Sequence, residues 1–194
     1  MLFHASPICG IKRLEPRVSN HGTPLLYLSS KRENTLVYLS NAVEKYCRET
    51  GFEHCGPWYK WASYGFTRDG RLCLDEYYPN ATLLTYAGVS GYVYSVNKDD
   101  DCEEQADIPF AFVSRKPLEA AECEHISDAY EEIMRCAAEG LIVLRRYEDC
   151  TQKQLQWIKR TISIEYANAS ERPDYRHFLE AHFDIEKSLH PAEN

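Results

Sequence analysis

Four places in the chain hold residue types suited to chemistry. Glu76 lies in Asp75-Glu76-Tyr77-Tyr78-Pro79. Rings around a carboxylate exclude water, shift its pKa and fit it for acid–base work. The other reading is an ordinary surface carboxylate in a loop. His4 sits in the apolar opening Leu2-Phe3-His4-Ala5-Ser6, and Tyr27 in Leu25-Leu26-Tyr27-Leu28-Ser29. His4 is either a strand-edge histidine held by the fold or a ligand contact. Tyr27 is either a core residue or a stacking surface. His54-Cys55 is the nearest approach to a metal-ligand pair, but it has no second pair to complete a site, so no metal is expected. The eight cysteines contain no C-x-x-C, and the N-terminus has no apolar export signal. Reduced thiols, with neither disulfide nor structural zinc, are the expectation.

Net charge is −8. That argues against broad nucleic-acid binding, which needs a phosphate-neutralising surface. The charge is uneven. Residues 1–32 carry Lys12, Arg13, Arg17, Lys31 and Arg32 against Glu15 alone, so an anionic ligand would prefer the N-terminal part. Fourteen tyrosines suit either a semi-polar pocket or the edges of a core. No G-x-G-x-x-G, G-x-x-x-x-G-K-[ST] or G-x-S-x-G occurs, which argues against a Rossmann dehydrogenase, a P-loop NTPase and an α/β-hydrolase. No apolar run is long enough to span a bilayer, and a cytoplasmic setting is expected.

These residues need elements to position them. Residues 1–4 and 25–29 read as strands, separated by a Pro- and Gly-broken loop. Ser30 with Glu33 resembles a capping box opening one helix, with Leu36, Leu39, Val43, Tyr46 and Cys47 on its face, ending at Gly51. Asp69-Gly70 marks a tight turn before a strand at 72–74, and Asp75 to Asn80 leads into a short helix. Residues 91–96 alternate as a strand. The acid-rich run 99–107 reads as a solvated loop. Strand pieces follow at 109–114 and 118–123. Asp128 caps a helix to about Glu139, and a strand follows at 141–144. Thr151 with Gln154 opens a helix with Leu155, Ile158, Ile162 and Tyr166 on one face. A last helix covers 174–182. The order predicts one α+β domain over residues 1–194.

The opening resembles the ADP-ribosyltransferase-like superfamily. Phe3-His4-Ala5-Ser6 is similar to the Tyr-His-Gly-Ser type start of bacterial members, and Gly10-Ile11-Lys12-Arg13-Leu14-Glu15-Pro16 to the loop after it. Leu26-Tyr27-Leu28-Ser29 resembles the Tyr strand. Asp75 to Pro79, Gly91 to Tyr94 and Ile126 to Tyr130 resemble recurring pieces of a bacterial group of unassigned function. The resemblance implies a split, strongly bent mixed or antiparallel sheet with flanking helices. It also implies that NAD is bound as substrate: His4 donates to a ribose hydroxyl, Tyr27 stacks on the nicotinamide, and Ser6 and Ser29 belong to the same cofactor site. His4 and Tyr27 should then face one cleft on neighbouring strands. Active members add a Glu on a later strand. The corresponding Pro-Phe-Ala-Phe-Val-Ser at 109–114 has none, and Glu76 is the substitute.

The expected activity is ADP-ribosyl transfer or NAD glycohydrolysis on an unknown acceptor. The alternative is a non-catalytic domain that binds NAD, ADP-ribose or a protein. Phosphoryl transfer on RNA ends, known from a relative of the fold, is disfavoured by the acidic balance.

Overall fold

The computed structural model describes residues 1–18, 22–54 and 62–185, with backbone alone at 62–64. Cys55, of the His54-Cys55 pair, falls outside the described residues. The strands are β1 (Leu2–Ser6), β2 (Arg13–Leu14), β3 (Arg17–Val18), β4 (Pro24–Ser29), β5 (Ala62–Phe66), β6 (Leu72–Glu76), β7 (Gly91–Val96), β8 (Cys102–Glu104), β9 (Ala111–Ser114), β10 (Leu118–Ile126) and β11 (Ile142–Arg145). The α-helices are α1 (Ala42–Thr50), α2 (Ala81–Tyr86), α3 (Ala129–Ala138), α4 (Gln152–Asn168) and α5 (Pro173–His182). The chain is α+β. Its larger sheet has the order β2-β10-β7-β1-β4-β9-β8, with β3 also paired to β4. Its pairings are antiparallel. A smaller sheet has the order β11-β6-β5.

The chain builds two compact units, interleaved in sequence. The first holds 1–40, 64–74 and 86–144, and the second holds 41–63, 75–85 and 145–194. A single domain over 1–194 was the sequence expectation.

In the first unit, strand alternation separates two sets of side chains. Leu2, Leu26, Leu28, Tyr94, Val96, Phe112 and Leu118 form one buried cluster, with Ile11 packed against it. The 3-10 helix Glu33–Tyr38 buries Leu36 and Val37 and packs against β1, β4 and α3. Leu39 follows it. A Cβ at Gly91 would lie 2.5 Å from the Leu39 side chain, so only glycine lets Leu39 settle against β7.

The single helix expected after Ser30 is broken in two. Arg32 occupies the N-cap without a side-chain bond, and Asn41 re-caps α1 by accepting from Glu44 N at 2.9 Å. Gly51 ends α1 at φ +72, as its left-handed freedom predicts. Arg32 locks the first piece down instead. It pairs with both Glu124 oxygens at 2.6 Å, and with Glu132 at 2.6 Å.

In the second unit, α1, α4 and α5 pack together. Tyr46, Tyr78, Phe178 and His182 form a ring cluster. Asp174, fully buried near the start of α5, lies 2.9 Å from His54 Nδ1. Thr151 and Gln154 form the expected capping box of α4.

Candidate functional site

β1 and β4 are neighbours, yet their ladder is one residue pair, Phe3↔Ser29. On its other side β1 pairs along its whole length with β7. Beyond Phe3, the bond across to β4 comes from a side chain: His4 Nδ1 lies 2.9 Å from the Tyr27 carbonyl oxygen. A carbonyl only accepts, so Nδ1 carries the proton and donates. In the neutral ring Nε2 then presents a lone pair. Burial holds the His4 pKa below its ordinary value, the Tyr27 carbonyl partly opposes this, and the positive charge of Arg17 adds to the depression. His4 is therefore neutral at pH 7. The expectation had His4 donating to a ribose hydroxyl; with Nδ1 committed to the Tyr27 carbonyl, the neutral ring's Nε2 can only accept.

The register decides the relation between the two rings. Side chains opposite each other in an antiparallel pair share a face, and successive residues alternate. Phe3 shares a face with Ser29, hence with Tyr27, which pairs with Val113. His4 shares a face with Tyr94. His4 and Tyr27 thus sit on neighbouring strands with their side chains on opposite faces, joined through the Tyr27 backbone. The single cleft expected for both rings is corrected on this point. Tyr27 is 36% exposed, so it is not a core residue either. Tyr38, at the end of the 3-10 helix, is about half exposed.

Ser6 and Ser29 are buried. Each hydroxyl oxygen accepts from a backbone N–H two residues on, Ile8 N at 3.2 Å and Lys31 N at 3.1 Å. These are local turns that set how the chain leaves each strand. Both serines, expected as cofactor contacts, are engaged in these turns.

Glu76 belongs to the second unit. It ends β6 rather than entering a loop, and it is 1% exposed. Its Oε1 accepts from Thr82 N at 3.0 Å near the start of α2, and from Arg146 Nη1 at 3.3 Å; its Oε2 lies 3.4 Å from Tyr147 N. These bonds tie the end of β6 to the start of α2 and, far along the chain, to Arg146 and Tyr147. Glu76, expected as the catalytic carboxylate, is thus buried and bonded within the fold. The desolvation that the neighbouring rings suggested is present, but it serves folding.

His54 lies 2.9 Å from Asp174, and no group of three or more His, Cys, Asp or Glu able to hold a metal occurs among the described residues. The seven described cysteines are free thiols. No helix among the described residues is long and apolar enough to cross a membrane.

Sequence reading did not place Arg17 with His4. The signal was the basic bias of residues 1–32; the missing step was β3, which pairs Arg17 with Leu25 of β4. Comparison of the chain with protein-family models, with curated proteins and with solved structures returns no match.

Proposed function

We propose that this chain binds ADP-ribose, alone or within NAD and without catalysis, where the ladder between β1 and β4 gives out; the opposite faces of His4 and Tyr27 count against the ADP-ribosyltransferase site that the sequence resembles. The observation that carries this reading is His4: a neutral ring whose Nδ1–H is fixed on the Tyr27 carbonyl and whose Nε2 is left to accept. A ribose hydroxyl is a donor of the right kind. Arg17, whose charge is felt at His4, supplies the cation that a diphosphate requires. Both requirements are met by ADP-ribose. The nicotinamide ring is not needed, which agrees with Tyr27 lying on the other face.

Catalysis of transfer or glycohydrolysis calls for a carboxylate free to hold the ribose. Glu76 is sequestered, and β9 offers none. The binding reading is therefore preferred to the enzymatic one.

A thermal-shift panel tests it. ADP-ribose and NAD should each stabilise the chain, by about 2.7 kcal/mol at roughly 100 times the dissociation constant; nicotinamide alone should not. Consumption of NAD by the wild-type chain, or stabilisation by nicotinamide alone, would overturn the proposal.

A further inference from the structure

Two cysteines of the first unit are brought together by elements far apart in sequence. β2 and β10 pair antiparallel through Leu14↔Leu118 and Arg13↔Glu119, and the register continues with Ala120 N donating to Lys12 O at 2.9 Å. Followed further, the same register carries the chain from Lys12 back toward Cys9 as β10 runs on toward Cys123. Tyr94 fixes the approach. It is the partner of Cys123 on β7. Its hydroxyl donates to Ile8 O at 2.7 Å and accepts from Ile11 N at 3.2 Å. Those two bonds bracket Cys9 and hold its loop on Tyr94, the cross-strand partner of Cys123. The hydroxyls report both sulfurs. Tyr92 titrates above its ordinary range, first through its hydrogen bond to Cys9. Tyr94 does so first through burial, with Cys123 and Cys9 adding to the rise.

Exposure singles out the same two thiols. Among the described cysteines, Cys9 and Cys123 are exposed, Cys150 is intermediate, and Cys47, Cys73, Cys102 and Cys136 are buried. Burial raises the pKa of Cys102, Cys136 and Cys150, which lowers their thiolate fraction and their reactivity.

We infer that Cys9 and Cys123 form a reversible disulfide when the folded chain meets a hydroperoxide. One thiolate attacks the peroxide O–O bond, taking one oxygen as a sulfenic acid and releasing the other as water after protonation. The second thiol attacks that sulfur, forms the S–S bond and releases a second water. Two thiols are oxidised and one hydrogen peroxide is reduced to two waters. The inference is independent of any nucleotide site.

The test is peroxide treatment of the native chain, followed by peptide mapping without reductant. The expected product is a peptide pair joined through Cys9 and Cys123, lighter by two hydrogens, with two of the eight thiols lost and restored by dithiothreitol. Cys9→Ser and Cys123→Ser should each abolish the link and leave a dimedone-reactive sulfenic acid on the remaining partner. In urea the link should not predominate, because the register that pairs the two sites is gone. Sulfinic and sulfonic acids on Cys9 and Cys123 without a link would overturn the inference. So would links to other cysteines, or equal linking in urea.

Discussion

Two histidines, one in each unit, begin from the same device and end differently. His4 and His182 each place Nδ1 2.9 Å from a backbone carbonyl, of Tyr27 and of Phe178. Burial is the first cause of a lowered pKa in both. His182 is then walled in by rings: Phe178 stacks at 4.4 Å, Tyr78 lies at 4.5 Å and Tyr46 at 4.9 Å. Among the described residues His4 has no such ring contact; it stands where one ladder stops. A carbonyl bond and a depressed pKa thus do not separate a structural histidine from the one proposed to bind a ligand. What surrounds the rest of the ring does.

If the cluster around His182 is purely structural, truncating it must cost stability and spare binding. Phe178, fully buried, is the sharpest probe. Phe178→Ala should lower unfolding free energy by about 3–5 kcal/mol, read from urea midpoints, with ADP-ribose affinity unchanged at a temperature where the variant stays folded. A variant of normal stability would show that the cluster is not a core.

Glu76→Gln is the next largest change. Removing the charge takes the carboxylate away from Arg146 and weakens three bonds around a buried group. Loss of one member of a fully buried pair costs about 3–5 kcal/mol. Arg146 is one-third exposed, so about 2–3 kcal/mol is expected here. ADP-ribose affinity should not move. A variant with wild-type stability and altered ligand handling would return Glu76 to the functional site.

Much of this architecture was legible locally. β7 runs Gly91–Val96, as its alternation indicates; Asp128 accepts from Tyr130 N and Glu131 N, and Thr151 caps α4. What failed was non-local. Asp75 and Glu76 extend β6 because their partners come from residues 142–145 and 62–66, which no local window contains. The continuous apolar stripe from Leu36 to Cys47 hid the break that Asn41 and Glu44 signal. The largest failure concerns faces. Residue types at His4 and Tyr27 were readable, but which face each occupies depends on pairing Phe3 with Ser29. A slip of one residue would reverse the answer.

Acid separates the two histidines further. Each has a folded-state pKa below the ordinary 6.5, so below pH 6.5 the unfolded chain takes up the proton first. Stability from both is full above about pH 6.5 and falls as pH drops from there toward the folded values. His182→Leu should remove part of that loss, seen as a flatter dependence of unfolding free energy between pH 7 and 5. It should leave the pH dependence of ADP-ribose binding unchanged. His4→Gln should flatten the stability profile too, but it should also flatten the binding profile, because protonating Nε2 destroys the acceptor. Identical binding profiles for the two variants would erase the distinction.

The smallest effects test the site most directly. His4→Ala removes one hydrogen bond to the ligand, worth about 0.5–1.5 kcal/mol. That corresponds to a roughly two- to tenfold loss of ADP-ribose affinity by calorimetry. Tyr27→Ala should behave differently. Its carbonyl, the part that holds His4, survives the substitution, and its ring lies on the other face. Affinity for ADP-ribose should stay within about twofold. Stability should change by no more than about 1 kcal/mol, as for a partly exposed side chain. A stacking platform would give another pattern: a further loss of about 0.5–1.5 kcal/mol in binding, larger for NAD than for ADP-ribose because only NAD carries the nicotinamide. Finding that selective loss for NAD would show that the ligand reaches both faces of the sheet, and the contrast between the His4 and Tyr27 faces would fall.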